Sequence, residues 1–330
     1  MRAALLPAVR GKWEVKEVPT PVPGPNQVLI KICASGLCYT DVHVTEGTLP
    51  LPLQFPCILG HEPVGEIVAV GAGVTTRAIG DRVGVPWLQS SCGRCEWCQR
   101  GKAIFCANAT GTGAQMPGGH AEYMVAYADA TALLPEGLAY DQAAPIFCAG
   151  YTVWSGLRLA EPQPHERIAV VGIGGLGHLA VQYAKAAGFE TIAVTRTKDK
   201  EKLVRDLGAD EVVADGEALR AAGGADVILA TSNSMTSTGD TLKGLRPDGR
   251  LILMGLSSSD RLEVPADLLL TRGRIIGSQQ NGREYLYEAL DYAAKGKVKV
   301  IAETYPLKEI GRAYERVANG QVRFRAVISN

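Results

Sequence analysis

Hydrophobic and polar positions alternate in short runs through the first 150 residues. Two examples are QVLIKICASG, which starts at Gln27, and GEIVAVGAG, which starts at Gly65. Stretches rich in proline and glycine, such as VPTPVPGPNQ, separate such runs. Alternation with a period of two is typical of a strand with one buried face, and Pro and Gly clusters indicate turns and long loops. Residues 1–150 are therefore predicted to form a domain of small antiparallel strands.

The pattern changes at about Arg167. Compact apolar runs (RIAVVG, TIAVT, DVILAT, GRLILMG and RIIGS) now alternate with helical stretches such as GLGHLAVQYAKAAG and KEKLVRDLG. Strands that alternate with helices predict a parallel, doubly wound sheet of the α/β class. We assign residues 151–290 to this domain. The tail, residues 291–330, lacks the alternation.

Composition narrows the choice of chemistry. The chain has 330 residues, 46% of them hydrophobic, which is enough for two domains with separate cores. A formal net charge of zero makes nucleic acid or an anionic membrane an unexpected partner. We expect no signal peptide, because the first apolar run is broken at Pro7, and no run reaches the roughly 18 residues of a membrane span. A cytoplasmic protein is predicted, and in that reducing compartment its eight cysteines favour metal over disulfides.

Four of those cysteines fall in one hydrophilic stretch, SSCGRCEWCQRGKAIFC. Cys92, Cys95, Cys98 and Cys106 follow the spacing C-x2-C-x2-C-x7-C. Thiolates spaced in this way can converge on one ion and form a closed tetrahedral zinc site, which holds a loop together without catalysing a reaction. An iron–sulfur cluster is the alternative metal, and unrelated free cysteines are the alternative without one.

A glycine motif opens the α/β domain. Gly172, Gly174 and Gly177 form G-x-G-x-x-G, with Gly175 and Leu176 inside it, directly after a predicted strand and before a predicted helix. In this context the glycines permit a tight turn, and the helix N-terminus can hold the pyrophosphate of a dinucleotide. The alternative is a glycine turn that only packs helix against strand.

The end of the next strand decides which dinucleotide is expected. A carboxylate there would hold the ribose 2′-hydroxyl of NAD, but the chain carries Thr195 and Arg196. A hydroxyl followed by a guanidinium suits a 2′-phosphate, so NADP(H) is favoured and NAD(H) stays possible. Arg196 as a solvated surface charge is the alternative.

Taken together and in order, several motifs resemble the zinc-dependent medium-chain alcohol dehydrogenase family. They are GLCYTDVHVTEG, LGHEPVGEIVAVG, the four-cysteine loop, PIFCAGYTVW and GIGGLG, and the likeness covers essentially the whole chain. The resemblance implies a GroES-like β-rich catalytic domain and a Rossmann domain with the active-site cleft between them. It also implies that residues 291–330 return to the catalytic domain.

The resemblance places a second, catalytic zinc on Cys38, His61 and Cys148, giving two Zn²⁺ per chain. Two thiolates and one imidazole leave a fourth position for water or substrate. Glu62 would lie behind this zinc and approach it transiently, and Asp41 would accept the other ring N–H of His61. Without the resemblance, Cys148 would be interpreted as a buried core thiol, and Glu62 and Asp41 as members of ion pairs.

The resemblance further implies a route for the proton that an alcohol loses when zinc polarises it. Thr40 would contact the substrate oxygen, and His43 would pass the proton onward through the nicotinamide ribose. His120, His165 and His178 match no functional position, and Cys33 and Cys57 match no ligand position.

Other cofactor contacts are implied in the same way. Tyr39 stands where relatives often carry a basic residue that contacts the pyrophosphate, and Arg325 would supply that charge. Thr152 would lie beside the nicotinamide, and Lys200 would contact the adenosine ribose. Each of these, taken alone, would be interpreted as an exposed polar residue.

The substrate pocket is predicted in outline from Leu49 and Trp87, which match lining positions of the family, and from Phe147, which adjoins a zinc ligand, although each could instead be core. They indicate an apolar channel for alkyl or aromatic alcohols and aldehydes rather than polyols. Two other functions stay open: a zinc-free quinone or enone reductase, and a nucleotide-binding module without catalysis. A homodimer or homotetramer is expected from the resemblance.

Overall fold

The computed structural model describes residues 1–49, 51–196, 201–255 and 261–330. The chain forms two compact units, one made of Met1–Cys148 with Val300–Asn330 and the other of Ala149–Lys299. The end of the chain thus belongs to the same unit as its beginning. Residue 290, where we placed the second boundary, lies inside a helix of the second unit, Arg283–Ala294. Within the described ranges, no helix is both long enough and apolar enough to cross a bilayer.

The first unit is built mainly of strands. Up to residue 148 its strands are β1 Arg2–Leu5, β2 Glu14–Glu17, β3 Gln27–Leu37, β4 Glu62–Val70, β5 Arg82–Gly84, β6 Leu88–Ser90, β7 Thr110–Gly111, β8 Tyr123–Tyr127 and β9 Ala132–Leu133. Its helices in this part are short: α1 Tyr39–Glu46, α2 Glu96–Gln99 and α3 Tyr140–Ala143.

The second unit alternates helices and strands. Its helices are α4 Ala149–Ala160, α5 Gly177–Ala186, α6 Glu201–Asp206, α7 Gly216–Ala221, α8 Met235–Asp240, α9 Ala266–Leu270 and α10 Arg283–Ala294. Its strands are β10 Arg167–Val171, β11 Glu190–Val194, β12 Glu211–Val213, β13 Ala225–Ala230, β14 Leu245–Leu253 and β15 Arg274–Gly277. They form one parallel sheet in the order β12-β11-β10-β13-β14-β15. This order is that of a Rossmann fold, so the predicted doubly wound sheet is confirmed.

The tail adds β16 Ala302–Pro306, α11 Ile310–Ala318 and β17 Arg325–Ser329 to the first unit. There a seven-stranded sheet runs β16-β17-β3-β4-β5-β9, with β8 paired to β3. In the register of this sheet Gly36 on β3 lies opposite Glu62 on β4, and Leu37 lies opposite Ala326 on β17. One end of β3 therefore brings the starts of β4 and β17 together.

Burial along β3 explains why this end is suited to a site. Val28, Ile30 and Ile32 are buried while Lys31 is exposed, as expected for a strand with one covered face. From residue 34 onward every residue of β3 is buried, so both faces of the strand are covered there. Cys38, the next residue along the chain, is buried as well.

A glycine on β5 makes room for the residue that precedes Cys148. Phe147 is fully buried, and a Cβ placed on Gly84 would overlap with its ring. Any larger residue at position 84 must therefore displace this ring and the chain that leads to Cys148.

We predict that Gly84→Ala lowers the free energy of unfolding by about 1–3 kcal/mol, because added volume in a packed core forces its neighbours to shift. Gly311→Ala is the matched control, since its Cβ would meet open space in α11 and alanine favours a helix by up to about 1 kcal/mol. Denaturant unfolding compares the two. An unchanged midpoint for Gly84→Ala would contradict the packing described.

Candidate active site

The four-cysteine loop brings its thiols to one centre. Cys95 is the N-cap of α2, and the chain reverses at Gly93 and Gly101, where φ is 68° and 71°. Neighbouring sulfur atoms lie 3.5 Å (Cys95–Cys98), 3.6 Å (Cys92–Cys106) and 4.0 Å (Cys92–Cys98) apart. These distances are too long for disulfide bonds. The thiols together offer ligand atoms within 4.8 Å of one another.

The backbone next to Cys92 favours the thiolate of that residue. Backbone N–H groups of Arg94 and Cys95, followed by the thiol of Cys106, lower the pKa of Cys92 to about 6. The thiolate is the form that binds metal. Four convergent sulfur donors fit a closed tetrahedral site for zinc.

A second set of donors meets in the first unit at the buried end of β3. Cys38 follows β3 directly, His61 and Glu62 stand at the start of β4, and Cys148 follows a tight turn at Ala144–Phe147. Each offers one ligand atom, and these atoms all lie within 4.8 Å of one another. The sulfur atoms of Cys38 and Cys148 are 3.8 Å apart, and Nε2 of His61 is 3.3 Å from the sulfur of Cys148.

The sulfur atoms of Cys38 and Cys148 lie within hydrogen-bonding distance of each other. A hydrogen bond from Cys148 lowers the pKa of Cys38 well below 9.0 although burial opposes ionisation, and the same hydrogen bond raises the pKa of Cys148. Two thiolates this close in a buried region repel each other unless a cation compensates them. Two sulfur donors, one imidazole and a nearby carboxylate fit a zinc ion with one position left for another ligand.

Asp41 contacts two of these residues. Its Oδ2 accepts a hydrogen bond of 2.8 Å from the backbone N–H of Cys38, and Oδ1 lies 3.8 Å from Nδ1 of His61. Asp41 is the third residue of α1 and Cys38 is its N-cap, so the first contact is half of a capping box. Burial raises the pKa of Asp41 to about 6, and the charge of His61 opposes this. The resemblance implied the His61 contact, but the role of Asp41 at Cys38 was missed; the spacing C-x-x-D is a signal for it.

Glu62 forms an ion pair with Arg325, a residue that we expected to contact the cofactor. Arg325 lies at the start of β17 with only 4% of its surface exposed, and its Nη2 donates to Oε1 of Glu62. Burial raises the pKa of Glu62 to about 7, while Arg325 opposes that shift. A Cβ on Gly36 would overlap with this carboxylate. A contact between Arg325 and the cofactor stays a prediction, whereas its ion pair with Glu62 was not foreseen.

Thr40 and His43 lie three residues apart on α1, which puts them on one face of the helix. Oγ1 of Thr40 is 3.7 Å from the sulfur of Cys38, and Nδ1 of His43 is hydrogen-bonded to Oγ1 of Thr48 at 2.9 Å. Tyr39 is 41% exposed. The rings of Tyr39 and His43 meet edge to face, with their centroids 5.0 Å apart. A threonine hydroxyl beside the donor cluster and a half-buried imidazole on the same face can pass a proton outward.

The three residues predicted to line the substrate pocket lie in different surroundings. Trp87 meets His61 edge to face, with ring centroids 5.5 Å apart, and is half-buried. Leu49 is half-buried against Leu6 and Leu59. Phe147 is fully buried over Gly84, a placement typical of core. Trp87 therefore contacts the donor cluster directly at His61.

The glycine motif lies at the turn from β10 into α5. Gly172 has a φ of 89°, and a Cβ there would lie 2.6 Å from Ser232. A Cβ on Gly177 would overlap with the carbonyl of Gly172, so both positions require glycine. A Cβ on Gly174 would meet open space. Gly175 and Leu176 complete the turn, and both are half-buried.

The remaining cofactor candidates are spread over the second unit. Thr195 follows β11 and Arg196 is exposed, with its Nη2 3.4 Å from Oγ of Ser237. Thr152 is half-buried on α4. Lys200 lies outside the described residues. The structure thus places Thr195 and Arg196 together at one strand end.

Comparisons with known proteins agree with this geometry. Residues 24–136 match the family "Alcohol dehydrogenase GroES-like domain", and residues 175–295 match "Zinc-binding dehydrogenase". An alcohol dehydrogenase of Geobacillus stearothermophilus is 40% identical over 335 residues, covering 99% of both chains.

Two solved structures extend the likeness to the fold. A cinnamyl alcohol dehydrogenase from Sorghum bicolor is 31% identical with a TM-score of 0.90, covering 99% of this chain and 97% of that one. Acetophenone reductase from Geotrichum candidum, solved in complex with NAD, is 31% identical with a TM-score of 0.87, covering 99% and 96%. The predicted fold class, a Rossmann sheet with a GroES-like domain, is confirmed. This chain belongs to the zinc-dependent medium-chain alcohol dehydrogenase family.

Proposed function

We propose that this protein interconverts alcohols with aldehydes or ketones by hydride transfer to and from a nicotinamide cofactor, using zinc. The observation that carries the proposal is the cluster of Cys38, His61 and Cys148, in which Cys38 and His61 are buried and Cys148 is half-buried, with Asp41 next to His61. Family membership supports the same reaction class. The ligand set argues against a zinc-free quinone or enone reductase.

Zinc bound by Cys38, His61 and Cys148 would supply Lewis acidity that makes loss of the alcohol proton accessible near neutral pH and polarises the carbonyl in the reverse direction. Oγ1 of Thr40 takes up the proton of the substrate hydroxyl as Thr40 gives up its own hydroxyl proton, and His43 passes the relayed proton towards solvent. Asp41 orients His61 and, through the backbone N–H, Cys38. Arg325 holds Glu62 in its buried position.

We propose alkyl or aromatic alcohols and carbonyl compounds as the substrates. Trp87 contributes an aromatic surface next to His61, and Leu49 is an aliphatic side chain that is half-buried. The names of the two structural relatives, a cinnamyl alcohol dehydrogenase and an acetophenone reductase, refer to aromatic compounds and support this class.

For the cofactor we propose NADP(H) in preference to NAD(H). Thr195 and Arg196 follow β11 where a carboxylate would serve NAD, and a guanidinium complements a 2′-phosphate. Gly174, with open space over its backbone, would let the pyrophosphate approach the N-terminus of α5. We also propose a second zinc on the four-cysteine loop. A homo-oligomeric state and a cytoplasmic location stay predictions.

Replacing one donor tests the catalytic assignment. We expect Cys148→Ser to contain one zinc per chain instead of two and to lose carbonyl reduction, because a serine hydroxyl binds zinc poorly. Cofactor binding, followed by NADPH fluorescence, should persist. Metal analysis and a steady-state assay with benzaldehyde provide the measurements.

Cys33→Ser is the matched control, since Cys33 lies outside both donor clusters among the described residues. It should retain both metals and full activity. If Cys148→Ser reduced benzaldehyde as fast as wild type, the proposed catalytic site would be excluded. If zinc-loaded wild type bound the cofactor but showed no turnover, a non-catalytic module would be favoured.

The cofactor preference is tested by Arg196→Asp. Removing a charge-assisted contact to phosphate should reduce kcat/KM for NADPH by about 10- to 100-fold relative to NADH. Arg220→Asp, the same charge change at an exposed position on α7, is the control and should leave the ratio unchanged. If the ratio for Arg196→Asp equals that of wild type, the proposed 2′-phosphate contact does not exist.

A further inference from the structure

His120 is a buried histidine that the proposed chemistry does not use. It precedes β8, has no exposed surface, and is fixed by its backbone, which donates to the carbonyl of Leu59 at 3.1 Å and accepts from the N–H of Ala4 at 2.8 Å. Neither ring nitrogen has a hydrogen-bond partner among the described residues. A buried polar atom without a partner costs free energy, so this ring requires an explanation.

The ring is confined on two sides. The rings of Trp13 and His120 meet edge to face, with their centroids 5.7 Å apart. On another side lies Gly60, where φ is 97° and a Cβ would come within 2.8 Å of the imidazole Cγ and Nδ1. With the backbone fixed as well, the imidazole has little freedom to turn away.

The ring nitrogen that faces the site approaches Asp41. Nε2 of His120 lies 4.0 Å from Oδ2 of Asp41, whose other oxygen is 3.8 Å from Nδ1 of His61. Asp41 is thus flanked by two imidazoles, and its Oδ2 also accepts the N–H of Cys38. Burial, followed by the charge of His61, lowers the pKa of His120 to about 3. A neutral imidazole has one N–H to donate, and an ionised carboxylate can accept several hydrogen bonds.

We propose that His120 is a positioning residue for the catalytic zinc: its Nε2–H donates to Oδ2 of Asp41, through a bridging water or after a small closure of the gap, and so holds the carboxylate that orients His61. This inference rests on the proposed function. It gives the site a third layer, in which His120 acts on Asp41 and Asp41 acts on the ligands. Outer hydrogen-bond partners of this kind affect metal affinity.

The test compares His120→Phe, which keeps an aromatic ring but has no donor, with His120→Gln, whose side-chain amide can reach the position of Nε2. Zinc release from each zinc-loaded protein is followed with a coloured chelator. His120→Phe should lose catalytic zinc about 10- to 100-fold more readily than wild type. His120→Gln should stay close to wild type, and release from the four-cysteine loop should be unchanged in both.

Trp13→Phe is the control for packing around the ring, and it should leave the release of both metals unchanged. A purely structural role for His120 predicts instead that His120→Phe and His120→Gln release catalytic zinc alike, either both as wild type or both faster. That result would overturn the inference. Wild-type protein that holds only one zinc would overturn the proposed function as well, so the two failures are distinguishable.

A measurement on wild type covers the case in which a variant does not fold. In ¹⁵N-labelled protein, NMR should show His120 neutral, with its proton on Nε2 and that proton shifted downfield by a hydrogen bond. A proton on Nδ1 would overturn the inference.

Discussion

Compensation of buried negative charge is the constraint on which the site depends. Cys38, His61, Glu62 and Cys148 converge in a region from which water is largely excluded, and Asp41 adds a further carboxylate. Without a cation, the hydrogen bond between the two sulfur atoms lowers the pKa of Cys38 and raises that of Cys148, and burial raises the pKa values of Asp41 and Glu62. A divalent ion would compensate this charge and allow both sulfur atoms to ionise. Under the proposed function the same ion would serve as the Lewis acid.

The sheet of the first unit determines where these charges lie. Because Gly36 pairs with Glu62 and Leu37 pairs with Ala326, the start of β4 and the start of β17 meet at the end of β3. Arg325 is thereby brought to Glu62, and Cys38 follows at the next residue of the chain after β3. Glycine at position 36 leaves room for the carboxylate. The tail of the chain therefore contributes a buried cation to the site as well as a strand.

The sequence was most informative where ligands lie close together along the chain. The spacing of Cys92, Cys95, Cys98 and Cys106 and the glycine motif at Gly172 predict local geometry, because a turn alone brings such residues together. Cys38 and Cys148 are 110 positions apart, and only the resemblance to a family connected them. The pairing of Arg325 with Glu62 depends on strand register across the whole first unit, which no local pattern reports. His120 was assigned no role, since its burial beside Asp41 is a property of packing.

X-ray diffraction data collected at the zinc absorption edge would test the central claim most directly. The account predicts two anomalous peaks per chain, one at the centre of the four-cysteine loop and one near Cys38, His61 and Cys148. The second peak should lie about 2.3 Å from both sulfur atoms and about 2.1 Å from Nε2 of His61. A single peak confined to the four-cysteine loop in zinc-loaded, active protein would contradict it.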